Sequence, residues 1–205
     1  MKIKICGITN LEDAMNSIYL GVDALGFIFY EKSPRYITPA HAEEILLNFP
    51  PFVNRVGVFV NKPLDEVIDI SKSCGLDYVQ LHGEESAGYC IKCPIKVLKV
   101  FKVSDISDLN DISSYQGVVN GILLDTKSDK LYGGTGKPFD WGIAIAAKEY
   151  ELPLILSGGL NIDNIEKAIS LVSPYGVDLN SGVETDVGIK DYVKIENIIK
   201  RIKGI

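Results

Sequence analysis

The chain reads as an α/β protein, a single-domain (β/α)8 TIM barrel with parallel strands, and three observations point there. Short β-branched runs alternate with longer helical patterns from one end of the sequence to the other. The alternation makes eight strand–helix units, enough to close a ring of parallel strands covered by helices. Glycine-rich and polar residues gather after many of the strands, not at one switch point, which favours the barrel over an open doubly wound sheet.

The first strand is expected over 2–8, where Ile3 and Ile5 alternate with Lys4 and Cys6. Period two sends the isoleucines towards the helix layer and turns Lys4 and Cys6 into the barrel. Thr9 or Asn10 can cap a helix over 11–21, which Gly21 closes. A strand over 23–29 leads to a helix over 39–48, and a strand over 54–60 to a helix over 63–74. There Asn61 precedes Pro63 at the start and Gly75 follows the end. Strands over 77–82, 95–102 and 121–125 are followed by helical stretches over 84–92, 105–115 and 141–150. The last two units pair 153–157 with 161–172, opened by Asn161, and 176–180 with 191–203.

With 205 residues the chain can bury one sizeable core and is short for two ordinary domains, so residues 1–205 are expected to form one catalytic barrel. A hydrophobic fraction of 46% and a charged fraction of 23% suit a globular protein. The formal charge of -6 argues against a nucleic-acid partner and leaves an anionic ligand to local donors. No apolar run approaches the ~20 residues that span a bilayer, and the first residues lack a signal-peptide pattern. Cys6, Cys74, Cys90 and Cys93 are too sparse for a disulfide scaffold, so a cytoplasmic protein with reduced thiols is expected.

A barrel of this kind carries its active site at the carboxyl ends of the strands. Those ends read Cys6-Gly-Ile-Thr9, Ser33-Pro-Arg35, Gln80-Leu-His82-Gly83, Leu124-Asp125-Thr126, Ser157-Gly158-Gly159-Leu160 and Asn180-Ser181-Gly182-Val183-Glu184. The glycines after the seventh and eighth strands fit a phosphate site, because such barrels bind phosphate there through backbone N–H groups. Gly158, Gly159, Ser181 and Gly182 are the candidates.

Taken together, these segments closely resemble phosphoribosylanthranilate isomerases. The resemblance runs in order through Lys4-Ile-Cys-Gly-Ile-Thr9, Ser33-Pro-Arg35, Val58-Phe59, Val79-Gln-Leu-His-Gly83, Leu124-Asp-Thr126, the loop Gly133–Gly136, Ser157-Gly-Gly-Leu160 and Ser181-Gly-Val-Glu184. It covers nearly the whole chain, and Ser157 and Asn180 are departures from the family's frequent alanine and serine. The family converts N-(5-phosphoribosyl)anthranilate into 1-(2-carboxyphenylamino)-1-deoxyribulose 5-phosphate, an Amadori rearrangement in tryptophan biosynthesis. An acid protonates the furanose oxygen so that the ring opens to a Schiff base, and a base then takes the proton from sugar C2. Such chemistry needs two titratable groups and neither metal nor organic cofactor.

The resemblance implies Cys6 as the general base and Asp125 as the general acid. Strands one and six stand three places apart around the ring, so the two groups can face each other. Without the resemblance, Cys6 would pass for a small buried hydrophobe and Asp125 for a loop or cap residue. Arg35 corresponds to the residue that holds the anthranilate carboxylate, a task suited to a guanidinium's fixed fork. Gln80 and His82 are carried over as substrate-binding residues. The implied partner is a small phosphosugar, with no nucleic acid or membrane, and the chain is expected as a monomer or homodimer.

Two motifs are set aside. Cys90-Ile-Lys-Cys93 has no second pair to complete a zinc site, and it closes a helix where a redox pair would open one. The Gly133-Gly-Thr-Gly-Lys137 string lacks P-loop spacing and reads as a mobile active-site loop. Another phosphosugar isomerase or synthase would share the phosphate glycines without needing Cys6, Arg35 and Asp125 together. A non-catalytic barrel would need none of them. Strand alternation adds one expectation: an inward Lys4 is costly unless paired, and Asp178 turns inward on the eighth strand, next to the first. A buried Lys4–Asp178 pair is expected below Cys6, with Lys4 favouring the thiolate and Asp178 offsetting part of that effect.

Overall fold

In a computed structural model, which describes residues 1–127 and 138–204, eight parallel strands close into a barrel in chain order. They are β1 (Lys2–Cys6), β2 (Ala24–Ile28), β3 (Asn54–Phe59), β4 (Tyr78–Leu81), β5 (Lys96–Val103), β6 (Gly121–Thr126), β7 (Leu154–Leu156) and β8 (Gly176–Leu179). The ring closes where β8 pairs with β1, Lys4 standing opposite Asp178. The covering helices are α1 (Leu11–Tyr19), α2 (Pro39–Leu46), α3 (Leu64–Ser73), α4 (Ala87–Lys92), α5 (Trp141–Ala146), α6 (Ile165–Val172) and α7 (Tyr192–Lys203).

Alternation on β1 falls as the sequence predicts. Ile3 and Ile5 belong to the apolar layer between barrel and helices, while Lys4 and Cys6 are buried outside that layer. The same alternation on the other strands lines two cavities. The floor is lined by Lys4, Val56, Leu98 and Ile155, and the mouth by Cys6, Val58, Gln80 and Asp125. Lys4 Nζ lies 2.9 Å from Asp178 Oδ1, with both side chains 5% exposed, so the expected ion pair is formed.

The helices depart from expectation where side chains compete with the backbone. Asn10 caps α1 by accepting from the Asp13 N–H at 2.8 Å. The segment expected as a helix over 105–115 is a 3-10 helix, Ile106–Tyr115. It is rich in Ser, Asp and Asn, and Ser114 Oγ donates back to the Asp111 carbonyl at 2.7 Å. The helix expected from Asn161 starts at Ile165, because Asn161 Oδ1 accepts from the Asp163 N–H at 2.9 Å and bends the chain first. The helix expected over 84–92 starts at Ala87, capped by Ser86, because Glu85 turns inward. Over 141–150, α5 gives way to a 3-10 turn, Ala147–Tyr150.

An antiparallel hairpin, β9 (Glu184–Asp186) and β10 (Ile189–Lys190), follows β8 and was not foreseen. It is tied to the opposite end of the sequence. Thr9 Oγ1 donates to the Gly188 carbonyl at 2.7 Å, and the Lys190 N–H donates to Asp13 Oδ2 at 2.9 Å.

Candidate active site

Every residue expected from the sequence as catalytic or substrate-binding lines one cavity at the mouth: Cys6, Arg35, Gln80, His82, Asp125, Gly158, Gly159, Ser181 and Gly182. They come from the ends of six strands, which parallel β/α alternation brings to one rim.

Cys6 ends β1 and pairs in register with Gly26 of β2. A Cβ at residue 26 would sit 2.7 Å from Cys6 Sγ and 3.0 Å from Lys4 Nζ, so glycine leaves the room in which thiol and ammonium stand together. Burial pushes the Cys6 thiol above its ordinary value, Lys4 and Lys190 pull it down, and Asp178 pushes it up. Lys4 therefore acts on the thiol in the expected direction, but burial outweighs it. Burial also works against the Lys4 ammonium, yet Asp178 and Cys6 hold it above its ordinary value.

Asp125 stands on β6 across the mouth. Its Oδ1 accepts from the Thr126 N–H at 2.8 Å, and its Oδ2 lies 3.4 Å from His82 Nε2. That second approach is not an aligned hydrogen bond: His82 Nε2 and Gln80 Oε1 are buried polar atoms without a hydrogen-bond partner among the described residues. Gly158 packs against Asp125. Its φ is +81°, and a Cβ there would fall 3.0 Å from Asp125 Oδ1, so a side chain would be both strained and crowded.

Arg35 reaches the mouth from the loop after β2, but its guanidinium is already engaged. Nε donates to Glu184 Oε1 at 2.8 Å and Nη2 to Glu184 Oε2 at 2.6 Å. This bond raises the Arg35 pKa further. Burial works against the Glu184 carboxylate, but Arg35 and Lys190 hold it below its usual range. Lys190 Nζ donates to Glu184 Oε1 at 2.8 Å and to Asn180 Oδ1 at 3.0 Å. Sequence reasoning passed over Glu184 and Lys190 as functional residues. The one available signal was Glu184 at the end of the Ser181–Glu184 string.

The candidate phosphate residues lie on two adjoining loops. Gly158 and Gly159 have positive φ. The Gly159 carbonyl accepts from Asn161 Nδ2 at 3.3 Å and Asn164 Nδ2 at 2.9 Å, which pins the turn. Ser181–Val183 forms a 3-10 turn, and a Cβ on Gly182 would run into the Leu160 carbonyl group, so the loops touch. The Gly133–Gly136 loop lies outside the described residues. Cys90 and Cys93 are free thiols, that of Cys90 pushed up to about 11 by burial. Among the described residues no group of three or more His, Cys, Asp or Glu side chains is placed to hold a metal ion.

Fold and mouth together define a class: a parallel (β/α)8-barrel enzyme that brings a thiol, a carboxyl and a guanidinium to one cavity. The family model for N-(5'phosphoribosyl)anthranilate (PRA) isomerase matches residues 3–201, and the chain belongs to that family. A curated N-(5'-phosphoribosyl)anthranilate isomerase of Geotalea uraniireducens is 50% identical over 204 residues, covering 100% of this chain and 99% of the relative. Monomers generated from the dimeric phosphoribosylanthranilate isomerase of Thermotoga maritima superpose with a TM-score of 0.90 at 42% identity, covering 100% of both chains. A phosphoribosylanthranilate isomerase solved with reduced 1-(o-carboxyphenylamino)-1-deoxyribulose 5-phosphate gives 0.90 at 43% identity, again over 100% of both chains.

Proposed function

We propose that this protein, as one barrel over residues 1–205, converts N-(5-phosphoribosyl)anthranilate to 1-(2-carboxyphenylamino)-1-deoxyribulose 5-phosphate in tryptophan biosynthesis. The observation that carries the proposal is the convergence of Cys6, Asp125 and Arg35 on one mouth, in a chain of the PRA isomerase family. A related isomerase has been solved with the reduced product, which carries the same carboxyl and phosphate groups.

Asp125 donates a proton to the furanose oxygen, and the ring C1–O bond breaks as the anilino nitrogen forms the Schiff base. The Cys6 thiolate then takes the C2 proton, electrons move to the iminium nitrogen, and the enolamine relaxes to the ketone. His82, 3.4 Å from Asp125, and Gln80 hold substrate hydroxyls with their uncommitted polar atoms. Arg35 holds the anthranilate carboxylate. The turns at Gly158–Gly159 and Ser181–Gly182 take the phosphate through backbone N–H groups.

Freshly made phosphoribosylanthranilate, incubated with the purified protein, should lose its fluorescence at an enzymatic rate. No loss above the spontaneous rate contradicts the proposal. Turnover should survive dialysis against a strong chelator, since acid and base complete the chemistry; activity lost on chelation and restored by one metal would overturn the metal-free scheme. A cytoplasmic location fits, since no described helix is long and apolar enough to cross a membrane, and cell fractionation tests it. Assembly as a monomer or a homodimer is decided by sedimentation, a dimer being the form named for the Thermotoga maritima relative.

A further inference from the structure

Taking Arg35 as the carboxylate anchor proposed above, we infer that Glu184 and Lys190 are positioning residues: they select the edge of the Arg35 guanidinium that meets the substrate and supply the net charge that attracts it. A guanidinium offers a side-on fork, Nε with one terminal nitrogen, and an end-on fork from its two terminal nitrogens. Glu184 takes the side-on fork, at 2.8 and 2.6 Å. Arg35 lines the mouth cavity and Glu184 does not, so the carboxylate of Glu184 backs the guanidinium on the side away from the substrate. The end-on fork and Nη1 are left to face an incoming carboxylate.

An arginine paired only with a glutamate carries no net charge and pulls weakly on an anion. Lys190 restores the charge. Its side chain is 1% exposed, and the ammonium donates to Glu184 Oε1 at 2.8 Å and to Asn180 Oδ1 at 3.0 Å. Asn180 itself lines the cavity, so the second cation stands one side chain behind the mouth. With Lys190 protonated, Arg35, Glu184 and Lys190 together carry one formal positive charge, matched to one carboxylate; burial lowers the Lys190 pKa and Glu184 offsets part of that.

The cluster is held from several sides. The Gly188 N–H reaches Glu184 Oε1 at 3.3 Å, Lys194 Nζ donates to the Glu184 carbonyl at 2.7 Å, and the Lys190 N–H is bound by Asp13 at 2.9 Å. The β9–β10 hairpin is thus the part that aims Arg35. A buried ammonium behind an arginine is costly where stability alone is served, because apolar side chains of similar volume do as well. An anion-binding role accounts for it.

The test compares two ligands: the reduced carboxyphenylamino product analogue and the same molecule with phenyl in place of carboxyphenyl. Their ratio of Kd values measures the carboxylate preference of each variant. Arg35→Ala should abolish the preference. Lys190→Met removes the net charge, and Glu184→Gln with Lys190→Met restores it but lets the guanidinium turn. Each should cut the preference about tenfold or more, with the phenyl analogue binding within about threefold of wild type. Lys190→Arg should keep the preference, and in Lys190→Met the KM for the substrate should rise more than kcat falls. If Lys190→Met alone does not fold, Glu184→Gln with Lys190→Met, which keeps one net positive charge, tests positioning alone and should still lower the preference. Preference lost in Arg35→Ala but intact in the Glu184 and Lys190 variants overturns the inference and leaves the anchor standing. Preference retained in Arg35→Ala overturns the anchor itself. Equal weakening of both analogues marks a merely structural role and also overturns the inference.

Discussion

Two lysines on the barrel strands themselves, Lys99 and Lys4, are buried beside carboxylates, and they are used differently. Lys99 of β5 lies 3.1 Å from Glu85, and its ammonium also donates to the carbonyls of Leu81 and Gly83 at 3.2 and 2.6 Å. Glu85 in turn accepts from the N–H groups of Asn61 and Gly83 at 2.8 and 3.0 Å. Neither residue lines the mouth. The pair is spent on peptide groups and fixes the turn after β4 that presents His82. Lys4 instead donates to Asp178 Oδ1 at 2.9 Å while its charge pulls the Cys6 thiol towards the thiolate, and Asp178 lines the mouth. A buried charge saturated by backbone is scaffold, whereas one that acts on a thiol at a strand end is assigned to the proposed chemistry.

The largest effects are expected at the proposed acid–base pair, Cys6 and Asp125. Cys6→Ala and Asp125→Asn should each lower kcat by about 10²-fold or more while the product analogue still binds. Near-wild-type turnover in either variant would remove that residue from its role.

Lys4→Met and Lys99→Met sharpen the comparison directly. Each strands a buried carboxylate, and each should cost about 3–5 kcal/mol in denaturant unfolding. Only Lys4→Met should also lower kcat of the folded protein, by about tenfold. Equal loss of kcat in both variants would erase the distinction. Gly26→Ala attacks the Lys4 side sterically, since its Cβ would press on both Sγ and Nζ. It should cost about 1–3 kcal/mol and lower kcat severalfold. At the other extreme, the exposed Lys200–Glu196 pair at 2.9 Å should matter to neither property. Glu196→Ala should change stability by less than about 0.5 kcal/mol.

Much of this was legible in the sequence for a physical reason. Period-two burial leaves its mark residue by residue, so the strands, the inward turn of Lys4 and Cys6, and the Lys4–Asp178 pair could be read from β1 and β8 alone. The mouth was legible because strand ends share one rim in a parallel barrel. Helix starts were less so, since Asn161, Ser86 and the Ser/Asp-rich stretch after β5 form local side-chain bonds that periodicity does not register. The Glu184–Arg35 bond was invisible. It joins residues 149 apart through a hairpin of Glu-Thr-Asp-Val-Gly-Ile-Lys, which has no apolar rhythm to announce a strand. Lys190 in that hairpin gave no sign that it is buried, because exposed lysines look the same in a sequence.

The contrast between the two lysines is tested most directly by the pH dependence of Cys6 alkylation, read for each cysteine by mass spectrometry. Burial raises the Cys6 pKa above its ordinary value of 9.0, so the wild-type rate should climb on the alkaline side of that value. Removing Lys4 removes the strongest pull towards the thiolate, and the climb should move to still higher pH. Lys4→Met with Asp178→Asn should move it the same way, because Lys4 outweighs Asp178 at the thiol, and it keeps the test readable if the single variant does not fold. Lys99→Met should leave the profile in place. A Lys4→Met profile that superposes on wild type, or a Lys99→Met profile that shifts as far, would contradict the assignment of Lys4 to the chemistry and Lys99 to the scaffold.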